Sequence, residues 1–82
     1  MIHVTAKYHQ ALRGSAGVAV EAVALGEGAT VRDLMTRLIC SHEALISFNG
    51  RCAVAVNEQF ALPQTKLSDG DTVDLMPPAP ES

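Results

Sequence analysis

The chain has 82 residues, a net charge of −3 at pH 7 and a hydrophobic share of 48%. A chain of this length forms one domain around a single core. The acidic balance and the lack of any basic run argue against nucleic acid and anionic membranes as partners. No apolar stretch approaches the roughly 20 residues that cross a bilayer, and the first residues do not resemble a secretory signal. We therefore expect a cytoplasmic protein.

The first two predicted elements are strands joined as a hairpin. Residues Met1–Tyr8 alternate between apolar and polar side chains, which is the period of a half-buried strand. Gly14 and Gly17 predict a turn, and Val18–Leu25 follows as a second strand rich in Val and Ala. The inward-facing set in the first strand is Ile2, Val4, Ala6 and Tyr8, and Val23 and Leu25 face the core from the second.

A helix is the clearest local prediction. Thr30 is a good N-cap, and Asp33 three residues later completes an approximate capping box. The apolar positions that follow have helical spacing, and the helix is expected to end at Ser41 or His42. The predicted core side of this helix consists of Val31, Leu34, Met35, Leu38 and Cys40.

The second half of the chain predicts two further strands and a short extended piece. Arg51–Val56 is a strand with Val54 and Val56 on its apolar face, and "VNEQFA" is a turn into an extended piece. Asp69-Gly70-Asp71 is a second turn, followed by a strand in which Val73 and Leu75 alternate with polar residues. Turn formation explains these acidic residues better than catalysis, so we do not expect an enzyme. Pro77-Pro78 ends the strand because proline cannot donate to the ladder.

The cysteines and histidines lack the spacing of a metal site or a redox motif. Cys40 and Cys52 are separated by eleven residues and form no CxxC pair, so small buried thiols are expected. His3, His9 and His42 show no ligand spacing, and we expect no metal and no cofactor. His9 is interpreted as a solvated loop residue.

The order strand, strand, helix, strand, short element, strand predicts an α+β domain of two layers. A mixed sheet of four to five strands packs against one main helix. The first and last strands lie side by side in its centre. We expect one domain over residues 1–78 and a flexible tail over residues 79–82.

Four stretches, in this order and spacing, resemble the MoaD/ThiS-type sulfur carriers, which are ubiquitin-like β-grasp proteins. The stretches are "KYHQALRG" (7–14), "EGATVRDLMTRL" (27–38), "AVAVNEQF" (53–60) and "LSDGDTVDLMPP" (67–78). The length and the "DLMPP" ending are more similar to the MoaD branch, which implies a role in molybdopterin (molybdenum cofactor) biosynthesis.

The resemblance implies two partners. One is a ubiquitin-activating-type adenylyltransferase, which activates the carrier's terminal glycine before sulfur is added. The other is the large subunit of molybdopterin synthase, which receives the sulfur. The residues that the resemblance places in partner binding are Tyr8, His9, Ala55, Met76, Pro77, Pro78 and Ser82.

The tail differs from those carriers. They end in Gly-Gly, whereas Pro77-Pro78 is followed here by Ala-Pro-Glu-Ser, and the 82 residues contain no Gly-Gly pair. Glycine suits a narrow channel because it lacks a side chain and is free of the usual φ restriction, whereas Pro80 fixes φ. Two hypotheses stay open: a sulfur carrier that diverges at its tail, and a non-catalytic β-grasp interaction module or regulatory subunit that keeps the docking surface only.

The sheet face opposite the helix is expected to be an apolar patch that binds a partner or a second copy of the chain. Its predicted members are Val18, Val20, Ala22, Ala24, Ala55 and Met76.

Overall fold

The computed structural model describes residues 1–48 and 52–77. Its elements in chain order are β1 (Ile2–Tyr8), α1 (Ala11–Ala16), β2 (Val20–Leu25), α2 (Val31–Ser41), a 3-10 helix (Glu43–Phe48), β3 (Ala53–Val56), β4 (Gln59–Phe60) and β5 (Thr72–Met76).

The strands of this part of the chain form one five-stranded mixed sheet. The spatial order is β2-β1-β5-β3-β4. β1 and β5 run parallel in its interior, and the other neighbouring pairs are antiparallel. The structure therefore confirms the α+β class, the mixed sheet, the hairpin of the first two strands and the central position of the first and last strands.

The core lies between one face of the sheet and α2. Side chains in β1 alternate between buried and exposed positions, as the sequence predicts. Val73 and Leu75 are fully buried in β5 and contribute to the same core. Because successive side chains of a strand point to opposite faces, the remaining positions of these strands form the second face, which we call the outer face.

Helix α2 begins and ends where the sequence predicts. The Thr30 side chain accepts a hydrogen bond from the backbone N–H of Asp33, and the Asp33 carboxylate accepts one from the backbone N–H of Thr30. This capping box satisfies two backbone donors that the first turn leaves free. Leu34 and Leu38 are 0% and 1% exposed, which confirms the core side of the helix at these positions.

The predicted turn between Gly14 and Gly17 is wrong in part. Residues Ala11–Ala16 form the short helix α1, and the strand that follows begins at Val20 rather than Val18. Leu12 and Ala16 are buried one helical turn apart, and Gly17 ends the helix with φ 79°. Six residues are too few for a periodic pattern to stand out in the sequence.

The predicted burial of the two cysteines also needs correction. Cys40 is exposed, and Cys52 is half-buried. Cys40 lies two residues after the buried Leu38, which is about 200° around the helix axis, and so faces solvent. Burial raises the pKa of the Cys52 thiol. Both thiols are free.

Two turns of the second half are held by side chains. Gly70 has φ 87° in the predicted Asp69-Gly70-Asp71 turn, where the Asp71 carboxylate accepts from the backbone N–H of Ser68 at 2.7 Å. Asn57 and Glu58 form the two-residue turn between β3 and β4, and both have positive φ. This is the geometry of a type I′ hairpin turn.

Across residues 1–48 and 52–77, no helix has the length and apolar character needed to span a membrane.

Candidate partner-binding surface

The outer face of the sheet has one continuous row of side chains across all five strands. Strand register places Val20 opposite Lys7, Lys7 opposite Asp74, Asp74 opposite Ala55 and Ala55 opposite Phe60. Phe60 is 83% exposed and Val20 is 52% exposed. The row therefore has apolar side chains at its two ends and a charged centre.

The apolar side chains extend beyond this row. Met76 is half-buried at the end of β5 and lies on the same face as Asp74, two residues earlier in the strand. Exposed large apolar side chains that gather on one face of a small domain mark an interaction surface. We call this set the docking face; its described members are Lys7, Val20, Ala55, Phe60, Asp74 and Met76.

A histidine and a carboxylate are paired beside the centre of the docking face. The Nε2 atom of His9 lies 3.0 Å from Oδ1 of Asp74, and both side chains are partly buried. His9 is therefore not the freely solvated loop residue that the sequence suggests. A polar depression of about 340 Å³ lies beside this pair and is lined by Lys7, Asn57, Glu58, Thr72 and Asp74.

The structure separates the residues that the sequence places in partner binding. Tyr8 is 1% exposed, and its ring belongs to the core. This corrects the prediction for its side chain, because a buried ring cannot contact a partner. The hydroxyl of Tyr8 donates to the Glu21 carboxylate, and burial together with that carboxylate raises the pKa of Tyr8.

Ala55 lies on the outer face as predicted, but it is buried under its neighbours rather than exposed. Met76 and Pro77 are half-buried where β5 ends. Pro78, Ser82 and the predicted tail 79–82 lie outside the described residues. His9, Ala55, Met76 and Pro77 therefore form the part of the predicted set that the structure brings to one region.

Sequence reasoning missed three members of this face. Lys7 and Asp74 appeared as ordinary polar positions of their strands, and Phe60 appeared only as part of a short extended piece. The length of the hairpin turn could have identified Phe60. If Asn57 and Glu58 form a two-residue turn, Val56 pairs with Gln59 and Ala55 pairs with Phe60, so Phe60 lies on the same face as Ala55. Lys7 and Asp74 meet only because β1 and β5 are neighbours.

The described residues contain no group of three or more His, Cys, Asp or Glu side chains that could hold a metal ion. The docking face itself offers apolar side chains at its ends and hydrogen-bonding groups at its centre. The end of β5 places Pro77 at one side of this face.

Comparison with known proteins agrees with this architecture. The ThiS family matches residues 6–80. The molybdopterin synthase sulfur carrier subunit of Chlamydomonas reinhardtii is 40% identical over 73 residues, which cover 87% of this chain and 88% of that protein.

Two solved structures show the same fold. A Pyrococcus furiosus protein named as a candidate molybdopterin converting factor subunit 1 has a TM-score of 0.85 at 32% identity and covers 96% of this chain and 100% of that one. Small archaeal modifier protein 1 of H. volcanii has a TM-score of 0.88 at 28% identity, with coverage of 96% and 100%. The chain described here belongs to the ThiS family and has its ubiquitin-like β-grasp fold.

Proposed function

We propose that this chain is a sulfur-carrier-type small subunit in molybdopterin (molybdenum cofactor) biosynthesis and acts with a molybdopterin synthase large subunit. The relative that is 40% identical over most of both chains is named a sulfur carrier subunit of that synthase. A subunit of this kind presents a carrier tail to its partners and has no catalytic site of its own. A ubiquitin-activating-type adenylyltransferase is the second proposed partner.

One observation carries the proposal. β5 runs through the interior of the sheet and ends at Met76, which is itself a member of the docking face. The chain that follows Pro77 therefore starts at the side of an exposed apolar surface. A partner that covers this surface is placed to receive the tail in the same binding event, which is the geometry that a carrier requires.

The docking face has the composition of a protein interface. Interfaces concentrate binding energy in a few large apolar or aromatic side chains around which water is excluded. Phe60 is the most exposed large apolar side chain of the described residues. We propose that Phe60 enters a pocket of the large subunit, while Val20 packs at the opposite end of the row.

A second candidate function uses the same docking face but involves no activation of the tail and no sulfur transfer. The 82 residues contain no Gly-Gly pair, and Pro80 restricts a segment that glycine would leave free. The second candidate is a non-catalytic subunit that docks on the same partner. The two candidates differ in one property, which is whether the tail can be activated.

Docking is tested by measuring the affinity for a molybdopterin synthase large subunit by calorimetry. Phe60→Ala should weaken binding by about 10-fold or more, because truncating an interface hot spot costs above about 1–2 kcal/mol. Ile46→Ala is the matched control. Ile46 is also exposed, but it belongs to the 3-10 helix that packs with α1 and α2, away from the outer face. Equal losses for the two variants, or no binding by the unchanged chain, would contradict the docking proposal.

Carrier chemistry is tested separately. The chain is incubated with a MoaD-type activating enzyme, ATP and a sulfur donor, and its intact mass is measured. A second sample carries Gly-Gly in place of Glu81-Ser82. If the unchanged chain exchanges an oxygen for a sulfur as readily as the variant, it is a carrier as it stands. If only the variant reacts, the chain is a docking subunit. If neither reacts, the activating enzyme is not a partner.

A further inference from the structure

The end of β5 is bonded to His9 at two successive residues. The backbone N–H of His9 donates to the carbonyl oxygen of Leu75 at 3.0 Å. The imidazole Nε2 lies 3.0 Å from Oδ1 of Asp74. An ionised carboxylate accepts hydrogen bonds but does not donate them, so Nε2 carries the proton and is the donor. His9 therefore fixes both a backbone atom and a side chain of the strand from which the tail starts.

This contact lies where β1 leaves the sheet. Tyr8 opposite Leu75 is the last residue pair between β1 and β5. The chain then turns into α1 through Gln10, which has φ 53° and ψ −125°, a conformation that favours glycine. On the other side of β5, Met76 still pairs with Ala53. Beyond Leu75, β5 therefore keeps a strand neighbour on one side only, and His9 occupies the corner on the other side.

The backbone at Met76 and Pro77 is restricted, so the orientation of the end of β5 determines the direction of the chain that follows. Proline has a fixed φ near −65°, and the residue before a proline is restricted to extended conformations. The step from Met76 to Pro77 therefore has little rotational freedom. A change in the orientation of the strand end at Asp74 and Leu75 is passed on to the direction in which the chain leaves the sheet.

We propose that His9 is a positioning residue for the tail: its bonds to Asp74 and Leu75 set the direction in which the chain after Pro77 enters the partner. This rests on the proposed function, because it requires a partner that receives the tail. His9 acts through β5 rather than by contact with the group that the tail carries.

The exposed fractions of the His9 and Asp74 side chains indicate whether their bond affects mainly stability or mainly the placement of the tail. The His9 and Asp74 side chains are 41% and 21% exposed, and pairs that water reaches add little to stability. Replacing His9 should therefore change thermal stability very little. It should lower the part of the affinity for the large subunit that depends on the tail.

The experiment measures the affinity for the large subunit with four chains: the unchanged chain, His9→Phe, a chain that stops after Pro77, and the chain with both changes. His9→Phe keeps an aromatic ring and removes the donor. It should weaken binding about 3- to 10-fold in the full chain, within the range of couplings between groups that act together. In the shortened chain it should have almost no effect, because no tail is left to direct.

Two controls separate positioning from contact. Phe60→Ala removes a docking contact and should weaken the full and shortened chains by the same factor. His9→Gln keeps an amide N–H donor and should restore most of the affinity that His9→Phe loses. The melting temperature of each variant is measured alongside to exclude loss of folding.

A loss of affinity that is equal with and without the tail would overturn the inference and make His9 a contact residue. Loss of binding that follows the melting temperature would make it a structural residue and overturn the inference as well. If the unchanged chain does not bind the large subunit, the proposed function fails and the inference fails with it.

Discussion

The hydroxyl of Tyr8 donates a hydrogen bond to the carboxylate of Glu21, which joins β1 to β2 at the edge of the core. The same Glu21 oxygen lies 2.8 Å from Nε2 of His42, the C-cap residue of α2. The Tyr8 and His42 rings also meet edge to face, with centroids 6.1 Å apart. Three elements of the fold are therefore linked through one half-buried carboxylate.

This network predicts a loss of stability in alkali that depends on Tyr8. Burial, and secondly the Glu21 carboxylate, raise the pKa of the Tyr8 hydroxyl above its ordinary value. The folded state therefore holds this proton more tightly than the unfolded state does. The resulting stability is fully present below about pH 10, the unfolded pKa of tyrosine, and is lost as the pH rises above it.

Urea unfolding of the unchanged chain and of Tyr8→Phe between pH 7 and 11 checks this. At pH 7 the variant should lose about 1 kcal/mol, the usual net value of one hydrogen bond. The gap between the two proteins should narrow above pH 10. Parallel pH profiles would show that Tyr8 ionises with the same pKa in the folded and unfolded states.

Leu34 and Leu38 fix the helix to the sheet. Both are fully buried, so Leu34→Ala or Leu38→Ala should lower the free energy of unfolding by about 2–5 kcal/mol. In a small domain this is a large part of the total stability. Arg37→Ala, on the exposed side of the same helix, should change it by less than about 0.5 kcal/mol. Losses below that value at both leucines would place the helix with its other face inward.

Glu58 occupies a turn position that favours glycine. Its φ is 70°, and its side chain is exposed. Glu58→Gly should stabilise the chain by up to about 1 kcal/mol, because the relief of backbone strain exceeds the extra entropy of the unfolded chain. Gln59→Gly, one residue later in β4, should destabilise instead. Thermal unfolding of the two variants checks the sign, and destabilisation by Glu58→Gly would refute the strain argument.

Asn57 connects the β3–β4 turn to the start of β5. Its Nδ2 donates to Asp71 at 2.9 Å, and its Oδ1 accepts from the backbone N–H of Thr72 at 3.0 Å. Asn57→Ala removes both bonds and should cost about 1–3 kcal/mol, since each contributes about 0.5–1.5 kcal/mol. Asn57→Asp keeps an acceptor for Thr72 but faces the Asp71 carboxylate, so it should also destabilise. Chemical unfolding at low and high salt tests this, because salt should reduce only the second effect.

The sequence by itself determined the features that short-range patterns encode. The alternation in β1, the capping box of Thr30 and Asp33, and the Asp69-Gly70-Asp71 turn all depend on residues a few positions apart. Hydrogen bonds and hydrophobic periodicity of this kind act within one element. The order of the elements predicted the mixed sheet, and four short stretches in order and spacing carried the family resemblance.

Patterns that span only one or two turns were less reliable. The six residues of α1 are too short for a helical period, and they fold as a helix because Leu12 and Ala16 are buried there by tertiary packing. Cys40 is exposed because it lies two residues after the buried Leu38, on the opposite side of α2. Its apolar residue type led to the wrong prediction that it faces the core.

The docking face was decided by the tertiary structure. Lys7 and Asp74 are 67 positions apart in the sequence, and only the parallel pairing of β1 with β5 makes them neighbours. The bond between His9 and Asp74 has the same origin. The order of the elements predicted that the first and last strands lie side by side, but not the register between them. The register decides which side chains face each other, and burial of the whole core sets it. The surface therefore becomes visible only when the sheet is assembled.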